Sequence, residues 1–158
     1  MQGNLYFVAV QDVDFTTTGD FFEIIPAASR PIVLHEAKIT QSTEAGDSEA
    51  EMIKFALKRG LGSTSGSGGS SPTEVGLQSD APAFAGATEA GNTTPASAGG
   101  GTLLTLWEIE EHIANGLHYL PAPEHRPVFK DDEVLVLSME STPADSITFS
   151  GYLIVEEI

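Results

Sequence analysis

The segment NLYFVAVQDV, near the start of the chain, alternates in the manner of a β-strand, yet neither side of the alternation is polar. Leu5, Phe7 and Ala9 fall on one face and Tyr6, Val8 and Val10 on the other. Successive strand side chains point to opposite sides of a sheet, so this strand is expected to be buried on both. A chain that opens this way must cover two faces of one sheet.

Seven further runs share strand character. DFFEIIP is short and closed by Pro26. PIVLHEAKITQS sets Val33, Ala37 and Ile39, with His35, against Leu34, Glu36 and Lys38, the pattern of a half-buried strand. EMIKFALKRG reads two ways: Ile53, Phe55 and Leu57 alternate with Lys54, Ala56 and Lys58, whereas Ser48 and Glu51 match a capping box and Gly60 could end a helix. The alternation favours a strand. TLLTLWEIEEHI, LHYLP, EVLVLSME and SITFSGYLIVEEI complete the set, with Pro143-Ala144-Asp145 as a turn and PAPEHRP as a separator. About eight short strands and no long helix predict an all-β fold, an antiparallel β-sandwich of jelly-roll type.

Between the fourth and fifth runs the chain changes character. Gly60 to Gly101 holds 11 of the 16 glycines, three prolines and no Lys or Arg, and its large apolar residues are Leu61, Val75, Leu77 and Phe84. Such a span cannot build a core of its own. Residues 60–102 are therefore expected to form an insertion loop or extended arm within a single domain spanning 1–158. Its Gly/Ser tract, GSTSGSGGSS, would give reach, and Val75, Leu77 and Phe84 would dock on a neighbouring subunit or another surface.

Composition narrows the partners. A net charge of −16 works against nucleic acid and anionic membranes, which are bound through clustered cations. The absence of cysteine removes disulfides, thiolate metal ligands and a thiol nucleophile. The N-terminal segment has neither the basic region nor the long apolar core of a signal peptide, and no run approaches the ~18 apolar residues of a membrane span. A soluble protein made inside the cell is expected, and the sequon at Asn92 is read as accidental.

Candidate chemistry is sparse. Glu108, Glu110, Glu111, His112 and His118 lie close together, but their spacing matches no ligand motif and suits a solvated strand face equally well. HEAKI has Ile39 where a zincin helix needs its second histidine, and the glycines of the tract lack a phosphate-loop lysine or a nucleophile elbow. Asp47/Glu49/Glu51 and Asp131/Asp132/Glu133 lack calcium-loop spacing. No catalytic residue, metal or cofactor is expected, and an enzyme is not. Trp107, Leu117 and Tyr119 are read as subunit-contact residues beside Val75, Leu77 and Phe84.

RPIVLHEAKITQSTEAGDSEAEMIKFALKRG, followed after the insertion by GLHYLPAPEHRPVFKDDEVLVLSMESTPADSITFSGYLIVEEI, resembles small proteins of tailed phages and prophages, and the architecture is similar to jelly-roll decoration (cement) proteins of phage heads. The similarity covers roughly 4–60 and 103–158 and carries structural motifs alone. It implies a homotrimer made in the bacterial host cytoplasm that sits on the virion surface, binds the major capsid protein and stabilises the head. The alternative is a jelly-roll module that binds a small molecule or carbohydrate.

Overall fold

The computed structural model describes residues 3–43 and 51–158. Ser48 of the capping-box pattern, and Asp47 and Glu49 of the acidic cluster, lie outside them.

Eleven strands run through the described residues: β1 (Asn4–Phe15), β2 (Gly19–Ile25), β3 (Ile32–Gln41), β4 (Met52–Leu61), β5 (Glu74–Gly76), β6 (Ala87–Asn92), β7 (Thr102–His112), β8 (Leu117–Tyr119), β9 (Val128–Phe129), β10 (Glu133–Met139) and β11 (Ile147–Glu157). Two antiparallel sheets result. The first has the order β5-β1-β11-β3-β8, with β9 also on β3, and the second the order β6-β2-β10-β4-β7. Leaving aside β5 and β6, the pairs are nested: β1 with β11, β2 with β10, β3 with β8 and β9, β4 with β7. A long two-stranded ribbon folded over on itself gives this nesting, and it defines a jelly roll. The eight runs expected as strands are its eight scaffold positions. The ambiguous fourth run is a strand, its Gly60 paired with Val134 and Leu103 instead of ending a helix.

The inner faces meet on an aromatic cluster. Phe15 and Phe149 come from the first sheet and Phe21 and Phe55 from the second, with Phe21 at 5.1 Å from both Phe15 and Phe149, edge to face, and stacked on Phe55 at 5.7 Å. Leu34, Leu57, Leu135, Leu137, Leu153 and Val155 fill the surrounding space and are fully buried.

Bulges change which residues face this core, among them one on β2 and one on β3. On β2, Phe22 opposes Leu137 and Asp20 opposes Ser138, so Phe21 is the extra residue. Phe21 and Phe22 both point inward, and Asp20 and Glu23 both turn to the outer side. On β3, Leu34 opposes Val155 and Glu36 opposes Ile154, which makes His35 the extra residue. The expected faces of β3 are corrected accordingly: Leu34 lies inside with Ala37 and Ile39.

The span expected to be an insertion loop or arm joins both sheets. β5 pairs with β1 and β6 with β2, so each sheet gains one edge strand. The Gly/Ser tract runs antiparallel to the returning chain, with single pairings at Thr64–Ser97, Ser67–Thr94 and Ser70–Ala90. Each is closed by two backbone hydrogen bonds, of 2.9 and 3.0 Å at Thr64–Ser97 and Ser67–Thr94 and of 2.9 and 2.8 Å at Ser70–Ala90. The tract is a strap laid against its own domain.

Phe149 touches both Phe15 and Phe21, so Phe149→Ala is expected to cost about 3–5 kcal/mol, read as a lower denaturant midpoint with an unchanged slope.

Candidate interaction surfaces

The outer face of the first sheet carries an apolar patch where β5, β1 and β11 lie side by side. Phe7 on β1 stands between Val75 on β5 and Ile154 on β11, and residues paired across strands share a face. Tyr152 tilts against Phe7 with ring centroids 5.1 Å apart. Val75, Leu77 and Val128 are 54%, 52% and 42% exposed around them. A groove of about 310 Å³ opens beside the aromatic pair, lined by Val10, Gln11, Lys38, Thr40 and Gly151. At its margin the Tyr152 hydroxyl and the His118 ring bond the same Glu36 oxygen, at 2.7 and 2.9 Å, and these bonds, the tyrosine's first, hold the Glu36 carboxyl below its ordinary range. His35 bonds Glu156 at 2.7 Å on the same face.

A second surface lies where the two sheets end. β7 is an edge strand of the second sheet and β8 of the first, and the Trp107 and Tyr119 rings tilt against each other across the gap with centroids 4.8 Å apart. Burial between the sheets raises the Tyr119 hydroxyl above its ordinary pKa. Leu104, Ile109 and Leu120 are exposed around this clasp, and a groove of about 270 Å³ runs between Trp107, Ile109 and Tyr119.

The residues expected to make contacts thus divide. Val75 and Leu77 are exposed beside the apolar face, whereas Phe84 packs edge to face on Tyr6 of its own chain at 5.0 Å. Trp107 and Tyr119 hold each other, and Leu117 is a correction: at 4% exposure it belongs to the core, beneath the groove between them. Of the acidic constellation on β7, Glu108 and Glu110 pair with Lys54 at 3.3 and 3.7 Å, and His112 accepts the Ala114 amide. Among the described residues no group of three or more His, Asp or Glu side chains is placed to hold a metal.

Sequence reasoning passed over a polar cluster beneath the strap. Asp20 and Glu23, brought to one side by the β2 bulge, are 1% and 2% exposed. The Ala96 amide donates to Asp20 Oδ2 at 2.6 Å and the Gly66 amide to Glu23 Oε1 at 2.7 Å. Asn92 donates through Nδ2 to Glu23 Oε1 at 2.8 Å and accepts the Gly69 amide at 3.1 Å. Glycine is what lets the strap lie this close: a Cβ on Gly66 would stand 2.5 Å from the Thr94 carbonyl oxygen, and one on Gly69 would stand 2.3 Å from that of Ala90. The only sequence signal was the pair of acids flanking two phenylalanines in GDFFEII.

No protein-family model, curated protein or solved structure matches this chain.

Because Gly66 meets backbone, Gly66→Ala is expected to destabilise the fold by about 1–3 kcal/mol, whereas the exposed Ser65→Ala should stay within ~0.5 kcal/mol; equilibrium unfolding of the two variants separates them.

Proposed function

We propose that this protein is a structural, self-associating jelly roll that decorates a phage head. The observation that carries the reading is the apolar patch on the outer face of the first sheet, where the described residues leave Val75 exposed and Phe7 and Ile154 half-buried. Contiguous exposed apolar surface of this kind marks an interaction site. In this reading that face rests on the capsid. The β7 edge and the side chains flanking Trp107 and Tyr119 make the contacts of a homotrimer, because an unpaired edge strand is best protected by a neighbour. A net charge of −16 keeps such a protein soluble before it assembles.

A second reading has its own support. The groove of about 310 Å³ offers the tilted Phe7–Tyr152 pair as an apolar wall, with Gln11, Lys38 and Thr40 as hydrogen-bonding groups, a composition suited to a saccharide or another small polar ligand.

Sedimentation velocity distinguishes them. At micromolar concentration the chain should sediment as a trimer, and Ile109→Glu on the exposed part of β7 should convert it to monomer with its far-ultraviolet circular dichroism intact. Ile154→Glu should leave the trimer but abolish attachment to expanded heads. A monomeric parent protein would overturn the decoration reading, and saccharide binding lost in Tyr152→Ala would then favour the second.

A further inference from the structure

We propose that the strap over the second sheet is a proton-gated latch: while it is closed, Asp20 and Glu23 share a single proton, and opening the strap releases that proton to solvent.

The geometry leaves one position for it. Both oxygens that meet the strap are occupied, Asp20 Oδ2 by the Ala96 amide and Glu23 Oε1 by the Gly66 amide and the Asn92 carboxamide. Glu23 Oε2 is buried and finds no donor. The Asp20 carboxyl lies within hydrogen-bonding reach of Glu23, so a proton on Asp20 supplies the missing donor and removes one of two adjacent buried charges.

Among the described residues, nothing else nearby neutralises the pair. From β6, Glu89 adds a further carboxylate, bonded to Asn92 Nδ2 at 3.2 Å. From β4, Lys58 is the nearby cation, and it is committed to Glu140, just beyond β10, at 2.6 Å. β10 contributes the neutral Ser138 opposite Asp20. The strap has no titratable side chain from Gly62 to Thr73 or from Thr93 to Thr102. Burial, foremost, together with the neighbouring Glu23 carboxylate, pushes the Asp20 pKa up to about 8.

The sign of the pH effect follows. The closed strap binds one proton that the open, hydrated pair gives up, so the opening equilibrium grows with pH. It grows by about tenfold per unit between the ordinary carboxyl value of 3.8 and about 8, and levels off above that.

Hydrogen–deuterium exchange of the full chain, read by mass spectrometry on peptides covering 62–71 and 93–101 and corrected for the intrinsic pH dependence of exchange, tests this directly. Protection of the strap should fall by about tenfold per unit from pH 5 to pH 8 and stay level beyond, while core peptides from β10 and β11 keep theirs. Asp20→Asn replaces the shared proton with a permanent amide donor to Glu23, so its strap protection should be flat across the same range. Should that variant fold poorly, Glu23→Gln, which leaves Asp20 buried but removes the neighbouring carboxylate, should make the fall in protection level off at a lower pH than in the parent, and Glu89→Gln should retain the parent's profile. Flat protection in the parent protein, an unchanged slope in a folded Asp20→Asn variant, or a profile in folded Glu23→Gln that levels off at the parent's pH, overturns the proposal.

Discussion

The bulge at Phe21 is the constraint on which the second sheet depends. In a regular strand, Phe21 and Phe22 would point to opposite faces, and one ring would be lost from the core. One extra residue against β10 turns both inward and sends Asp20 and Glu23 outward together. The inner consequence is the aromatic cluster that joins the two sheets. The outer consequence is a pair of acids that water would ordinarily solvate but that the strap seals. Both follow from a single departure from two-residue periodicity.

Most of the scaffold was legible because the eight runs carry that periodicity plainly, and nested antiparallel pairing is how strands of this number and spacing close around one core. The bulges were not legible. PIVLHEAKITQS scans as an unbroken alternation, and nothing in its composition says that His35 is the residue where the phase slips. The Gly/Ser tract was misjudged for a different reason. Glycine and serine signal flexibility when nothing holds them, but they also permit two backbones to approach closer than any side chain allows. Which applies depends on whether a partner backbone is present, and at Gly66 and Gly69 it is. The buried acids escaped notice because their partners are backbone amides of residues more than 40 positions away in sequence, and main-chain donors leave no trace in residue identity.

The two candidate surfaces are products of the same economy. A jelly roll with both sheets lengthened at the β1/β2 side is closed there by β5, β6 and Phe84. On the opposite side, the tilted Trp107–Tyr119 pair joins β7 to β8, and Arg59 of β4 reaches β9, donating to the Val128 carbonyl at 2.7 Å and lying over the Phe129 ring. The strap covers polar groups on the second sheet, and among the described residues the first sheet has no equivalent cover over Phe7, Tyr152 and Ile154. The double-sided apolar pattern that opens the sequence is therefore half satisfied within the chain.

The nested pairing also orders events in time. β1 finds its main partner in β11, with Asn4 opposite Glu157, so of these eleven strands the first to emerge during synthesis pairs with the last. Contacts this distant in sequence carry a large loop-closure cost and place jelly rolls among the slower folders. Throughout that wait, Tyr6 and Val8 on one side and Phe7 on the other have no sheet to enter, and the strand has two sticky faces at the ribosome. The chain's strong negative charge and the acids at the far end of β1, Asp12 and Asp14, then act as gatekeepers that keep nascent copies apart until β11 arrives.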